Sequence, residues 1–231
     1  CLGILASSSL IDARQKVKIR TYPFLLRLKF GSEQSIYKHC VGMIISRRHI
    51  LTKCPLVRVR QPYVQIQMMG EYKNRFYREK ETFKYYNETK WRFRIKIIEL
   101  HKPIQFTEKI YPLCIPNEEV SKTPNYVTMI GYSGQDSVDI TPMKYVPDRC
   151  NTTKINDMCF ECLRFVHLVY SGSPIVYLYS DHYYLLALHG EHDECEATGK
   201  KVRQFSMWKL KEWIDLIIAG DMKAEYCEKS F

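Results

Sequence analysis

Short segments in which apolar and polar residues alternate contain most of the apolar content of the chain. Residues 64–68 (VQIQM) and 93–98 (FRIKII) follow this alternation closely, which is the two-residue period of a half-buried β-strand. Residues 40–45 form an apolar run of strand length. Further strand-like segments are residues 22–30, 49–52, 126–130, 175–179 and 183–188. Many short strands separated by turn residues predict an all-β sandwich or barrel.

One clear helix is predicted, and it lies near the C-terminus. Gly220 is expected to end it, since glycine commonly follows the last helical residue. Residues 102–123 carry several loop signals and divide the strands into two groups of similar length. The apolar residues that recur at helical spacing are Leu210, Trp213, Ile214, Ile217 and Ile218.

The cysteine content indicates an oxidising compartment, because nine cysteines in 231 residues are many for a reduced cytosolic protein. Cys159 and Cys162 have the C-x-x-C spacing of a zinc site, but no compact second pair of ligands follows them. We therefore favour disulfides and expect no metal and no cofactor. Acceptor sequons at Asn87 and Asn151 are consistent with a secreted, extracellular glycoprotein. Secretion argues against a nucleic-acid partner.

The chain carries 35 Lys and Arg against 25 Asp and Glu, a formal charge of +10. Each cluster of positive charge is most simply a solvated strand face; the alternative is attraction to acidic proteins, glycosaminoglycans or membranes. No apolar run reaches 18 residues, so no membrane-spanning helix is expected. The first 13 residues are similar to the end of a secretory signal sequence, and whether Cys1 belongs to such a remnant stays open. The basic clusters are residues 16–20, 47–49, 90–96 and 200–203.

Three segments in the correct order resemble the trypsin-like serine protease family. Residues 40–54 resemble the segment that carries the catalytic histidine between two cysteines, and residues 93–116 resemble the segment that carries the catalytic aspartate. Residues 169–174 (VYSGSP) resemble the Gly-Asp-Ser-Gly-Gly-Pro motif around the nucleophilic serine. The resemblance implies an all-β, trypsin-like fold of two antiparallel β-barrels with a C-terminal α-helix. The implied units are a first barrel over 14–104, a linker over 105–123, a second barrel over 124–206 and a helix over 207–220.

By this resemblance the catalytic triad is degenerate. Ser171 stands at the nucleophile position, but Lys53 stands where the family has Ala-Ala-His, with two residues deleted. Arg94 stands at the position of the orienting carboxylate, 20 residues before Cys114. A protonated lysine accepts no proton, and an arginine neither acts as a base nor stabilises an imidazolium.

Other positions around the nucleophile also depart from the family pattern. Val169 replaces the glycine that helps to form the oxyanion hole, and its β-branched side chain resists the backbone conformations that glycine adopts. Tyr170 replaces the aspartate that forms a buried ion pair on zymogen activation. The base of the specificity pocket falls near Phe165, which implies an occluded pocket.

The resemblance also implies the disulfide pairing. Cys40–Cys54 and Cys150–Cys159 match loops of the family, and Cys162 is the substitute partner of Cys195. For the remaining cysteines, Cys114–Cys227 is slightly preferred, and Cys1–Cys114 is the alternative.

The loss of both catalytic partners and the basic, tyrosine-rich character resemble the scabies mite inactivated serine protease paralogues, relatives of the mite group 3 allergens. That resemblance implies a secreted protein without enzymatic activity that binds host plasma proteins, specifically complement components, and inhibits the cascade. We expect a monomer. Two alternatives remain: a decoy or regulator of active proteases and their inhibitors, and an enzyme that uses Ser171 with an unusual base.

Overall fold

The structure, a computed structural model, describes residues 17–18, 22–31, 36–53, 63–68, 75–85, 95–122, 124–132, 137–147, 157–165, 172–179, 182–189, 195 and 197–219. Strands dominate, as the alternating pattern predicts. The strands are β1 (Val17–Lys18), β2 (Leu25–Gly31), β3 (Ile36–Ile44), β4 (His49–Thr52), β5 (Tyr63–Met68), β6 (Arg75–Tyr85), β7 (Ile95–Leu100), β8 (Tyr126–Tyr132), β9 (Ser137–Tyr145), β10 (Asp157–Cys162), β11 (Pro174–Tyr179), β12 (His182–Leu188) and β13 (Lys201–Phe205). The helices are α1 (Glu118–Lys122), a 3₁₀ turn (Met207–Leu210) and α2 (Lys211–Ile218).

The first six long strands close into an antiparallel barrel in the order β2-β3-β4-β7-β6-β5. Pairing of β2 with β5, in which Leu28 faces Ile66, completes the ring. Leu28, Ile50 and Ile66 are fully buried inside it. Alternate residues of a strand point to opposite faces, so the apolar residues at every second position fill this interior.

The second set of strands forms a seven-stranded antiparallel sheet in the order β12-β11-β8-β9-β10-β13, with β1 added beside β9. Its two ends approach each other at an isolated antiparallel bridge between Ala187 and Ser206. Among the described residues, a single bridge thus connects the two end strands of the sheet, β12 and β13. In a fully closed barrel a continuous ladder of paired residues would connect them. The all-β, trypsin-like class with a C-terminal helix is confirmed, and the four unit boundaries stay predictions.

The helical spacing near the C-terminus is confirmed by the 3₁₀ turn and α2. Leu210, Ile214 and Ile218 are buried on one face of this segment. They join a core to which the barrel contributes Phe24 and the second sheet contributes Val176. Residues three or four apart on a helix share a face, which is why this spacing docks the segment against both sets of strands.

Several elements were not expected from the sequence. Strand β6 (RFYREKETFKY) is rich in charge and was not identified, and β13 lies in a segment first interpreted only as a basic cluster. Helix α1 lies inside the predicted linker. In β6, pairing with β5 and β7 supplies the backbone hydrogen bonds, so position in the barrel decides the conformation. None of the described helices has the length and apolar character to cross a membrane.

Substitution of Gly42 by alanine is predicted to destabilise the barrel. A Cβ atom at Gly42 would lie 2.7 Å from Leu28 Cδ1 and 3.0 Å from Ile50 Cγ2, closer than packed carbon atoms approach. Overpacking of this kind costs about 1–3 kcal/mol. Urea unfolding should show the loss for Gly42→Ala and a smaller one in a Leu28→Ala background, where the clashing side chain is absent. Equal losses in both backgrounds would contradict the packing account.

Candidate functional site

Lys53 is held at the end of a buried strand. It follows Thr52, the last residue of β4, whose Oγ1 donates a hydrogen bond to the carbonyl oxygen of Val41 at 2.7 Å. Lys53 itself is only 8% exposed. The residue that stands in place of the expected histidine is therefore fixed by the barrel rather than displaced into a surface loop.

Gly172 packs directly against Lys53. A Cβ atom at Gly172 would lie 3.3 Å from both the Cβ and the backbone nitrogen of Lys53. The φ angle of Gly172 is +89°, which glycine adopts at little cost and other residues resist. Ser171 immediately precedes this glycine in the chain, so the structure places Lys53 beside the residue that follows Ser171.

The end of β12 holds the same loop through its main chain. The backbone N–H of His189 donates to the carbonyl oxygen of Ser173 at 2.8 Å, and the N–H of Gly172 donates to the carbonyl oxygen of His189 at 3.0 Å. His189 is thus a main-chain clamp on the segment that follows Ser171. His189 is not among the site residues that the sequence predicts.

The ring of His189 lies in an unusual electrostatic environment. Its exposed fraction is 0%, and neither ring nitrogen has a hydrogen-bond partner among the described residues. Burial, together with the positive charges of Lys53 and Lys200, lowers the pKa of His189 from 6.5 to about 4. The imidazole is therefore neutral at physiological pH.

A second buried histidine lies elsewhere. His49 begins β4, where its Nδ1 lies 2.7 Å from the Oγ of Ser46 and its backbone N–H donates to the same hydroxyl oxygen at 3.1 Å. Strand β4 separates it in sequence from Lys53, and its contacts close the turn between β3 and β4. These contacts give His49 a structural role in the hairpin.

Phe165 is not enclosed by protein. It keeps 51% of its surface exposed, three residues beyond the end of β10. Occlusion of the specificity pocket near Phe165 and closure of the cleft stay predictions. The remaining site residues singled out from the sequence lie outside the described residues: Arg94, Val169, Tyr170 and Ser171, together with the sequons at Asn87 and Asn151.

A disulfide joins Cys162 to Cys195, the pairing that the family resemblance implied. Cys159 is disulfide-bonded as well, so both cysteines of the C-x-x-C pair are oxidised rather than available to zinc. Cys40 and Cys114 are also disulfide-bonded. Their predicted partners, and that of Cys159, lie outside the described residues, so those three pairings stay predictions: Cys40–Cys54, Cys114–Cys227 and Cys150–Cys159.

Comparison with known proteins identifies the family to which this fold belongs. A protein-family model described as Trypsin matches residues 11–166, more than half of the chain. The chain belongs to the trypsin family. The matched part of this trypsin-family chain includes Lys53 and ends before Ser171, so the role of Ser171 rests on the VYSGSP motif.

Two curated relatives come from rattlesnakes. "Snake venom serine proteinase 9" of Crotalus adamanteus is 26% identical over 170 residues, which are 70% of this chain and 61% of that protein. "Thrombin-like enzyme gyroxin B1.3" of Crotalus durissus terrificus is 29% identical over 168 residues, again 70% of this chain and 61% of that protein. The match thus spans about three fifths of the length of each relative.

The buried His189 predicts a specific dependence of stability on pH. The unfolded chain binds the proton near the ordinary pKa of 6.5, whereas the folded chain binds it only near 4. The free energy of unfolding is unaffected by this group above that ordinary pKa, and it falls as the pH decreases from about 6.5 to about 4. The full loss is on the order of 3 kcal/mol.

Urea unfolding at a series of pH values, in zwitterionic buffer without added salt, measures this loss. His189→Leu should flatten the slope over that range, because the variant has no imidazole to protonate at this position. His101→Leu is the matched control, since His101 is exposed. A His189→Leu profile that is parallel to the wild-type profile would contradict the assignment.

Proposed function

We propose that this trypsin-family protein is a secreted, catalytically inactive protease homologue that functions by binding other proteins. The observation that carries the proposal is the contact of Lys53 with Gly172, the residue after Ser171. Acyl transfer by serine needs a base within hydrogen-bond reach of its hydroxyl. At that place the chain supplies a lysine, whose positive charge contributes to the lowered pKa of His189.

The histidine bonded to this loop is a poor substitute for the missing base. His189 is fully buried, so a peptide substrate has no access to its ring. Its pKa of about 4 lies well below the working range of an efficient general base at neutral pH. Retained hydrolysis through Ser171 and a displaced histidine is therefore disfavoured.

The sequence supports the same proposal at three further positions. Arg94 directly precedes β7, at the position of the orienting carboxylate, and cannot assume its role. Val169 and Tyr170 stand where the family pattern has the oxyanion glycine and the activation aspartate. The rattlesnake relatives are named as a proteinase and an enzyme, and on this proposal the present chain keeps their scaffold without their chemistry.

The proposed binding partners are host plasma proteins, with complement components first among them and inhibition of complement as the consequence. This assignment rests on the resemblance to the scabies mite inactivated paralogues. The surface chemistry supports an acidic partner, because β13 exposes Lys201 and Arg203 while Val202 and Gln204 between and beside them are buried. We propose a monomer, since a rigid scaffold with exposed strands presents such a surface without a second copy.

The proposal predicts that the protein cleaves no peptide substrate above the background of a Ser171→Ala control. Broad peptide libraries and labelling with a fluorophosphonate probe measure this directly. A rate or a label that depends on Ser171 would contradict the proposal. Lys53→His alone should also fail to restore activity, because two residues are deleted at that position and Val169 replaces the oxyanion glycine.

A second prediction places the binding surface outside the former cleft. Combined charge reversal by Lys201→Glu and Arg203→Glu should weaken capture of complement components from plasma about tenfold or more and reduce its salt dependence, as loss of close charge pairs does. Ser171→Ala should leave capture intact. The matched control is Lys102→Glu with Lys109→Glu, an equal change of charge at exposed positions.

The outcome separates the candidate functions. Equal loss of binding in the Lys201→Glu, Arg203→Glu variant and in the control variant would mean that net charge alone is responsible. If Lys201→Glu with Arg203→Glu changes nothing, the predicted alternative surface at Lys90, Arg92 and Arg94 is tested in the same way. Selective capture of active proteases or their inhibitors would favour the decoy or regulator instead. Loss of binding on cleft substitutions alone would contradict a binding surface outside the former cleft.

A further inference from the structure

Three polar side chains are buried where the two ends of the second sheet meet. His189 follows β12, Gln204 lies in β13 and Ser206 follows β13, and each is at most 2% exposed. In the register of the antiparallel bridge between Ala187 and Ser206, His189 lies opposite Gln204 on the adjacent segment. We call His189, Gln204 and Ser206 the polar seam.

The polar seam contains hydrogen-bonding atoms that the described protein leaves unsatisfied. Both ring nitrogens of His189, Nε2 of Gln204 and Oγ of Ser206 have no partner among the described residues. Buried polar atoms in folded proteins nearly always have one, from protein, water or an ion. The Gln204 amide is a donor, the Ser206 hydroxyl can donate as well as accept, and a neutral imidazole offers one N–H and one acceptor nitrogen. The seam therefore offers three donor groups to a bound acceptor.

The surrounding charge selects the kind of acceptor. Lys53 and Lys200 both place positive charge close enough to the His189 ring to oppose its protonation. Lys53 comes from the end of β4 in the barrel, whereas Lys200 directly precedes β13, so the two charges reach the ring from different parts of the fold. A positive potential disfavours a bound cation and favours an anion over a neutral water molecule.

We infer that the polar seam binds a small monovalent anion, of the size of formate or chloride, with His189, Gln204 and Ser206 as donors and Lys53 and Lys200 as the neutralising charges. Complete burial of the three donors restricts the site to an ion of a few atoms. The anion accepts hydrogen bonds that the described residues otherwise leave unmade, in the positive potential that the two lysines create at the His189 ring. This inference is independent of the proposed function, because it requires neither loss of proteolysis nor a protein partner.

The test uses the whole 231-residue chain in its oxidised form, with ¹⁵N-labelled histidine. Sodium formate and sodium chloride are titrated in separate arms, each against sodium gluconate at matched ionic strength, since gluconate is too large for a buried site. The His189 ring resonances should shift saturably with formate or chloride and not with gluconate. The arm that saturates at lower concentration identifies whether a carboxylate or a halide is preferred.

Binding of the anion should also raise the midpoint of His189 protonation. A rise of about one pH unit corresponds to tenfold tighter binding of the anion to the imidazolium form than to the neutral ring. This reciprocal effect distinguishes a bound anion from an ordered water molecule. Water in the seam would leave the midpoint the same in formate, chloride and gluconate, and that result would overturn the inference.

Variants locate the site. Gln204→Leu removes a donor with little change in side-chain volume and should weaken binding of the anion at least tenfold. Lys53→Met should weaken it to the same extent. Lys102→Met, at an exposed position, is the matched control and should bind as the wild type does. If Lys53→Met fails to fold, Gln204→Leu and the wild-type titrations still decide. Responses that are linear, or that survive Gln204→Leu unchanged, would overturn the inference.

Discussion

A shared apolar core is the constraint on which the rest of this structure depends. Phe24 from the barrel, Val176 from the second sheet and Ile214 from the C-terminal helix belong to one buried cluster. Each set of strands leaves an apolar face that only the other set and the helix cover, so docking follows from burial of that face. The contact between Lys53 and Gly172 is a consequence of this docking, because the two residues belong to different strand sets.

The sequence predicted the elements whose apolar residues follow the period of their own secondary structure. The alternation in residues 64–68 became β5, and the spacing of Leu210, Ile214 and Ile218 became the docked helical segment. Strand β6 was missed because its pattern is dominated by charge, and its conformation is imposed by two neighbouring strands. The period of a segment reports burial of that segment, whereas pairing with remote strands leaves no local trace.

The candidate site likewise contains residues that the sequence predicted and residues that it did not. Lys53 and the Cys162–Cys195 pair were predicted because short motifs placed them, and the structure puts Lys53 beside the residue after Ser171. Gln204 was not identified, because it follows directly on the basic cluster at 200–203 and belongs to no motif. Its burial depends on the approach of β12 to β13, two strands at opposite ends of a sheet. No local pattern carries that information.

The Cys162–Cys195 cystine encloses a span of 33 residues that contains Ser171, β11 and β12. A cross-link of this length restricts the denatured chain by about 3–4 kcal/mol in the chain-entropy account. Because this restriction acts on the denatured chain, it raises the stability of the whole fold, so destabilising substitutions anywhere in the domain meet a larger margin before the chain falls below the threshold for folding. Reduction of this one cystine would therefore narrow the range of sequence change that the scaffold tolerates.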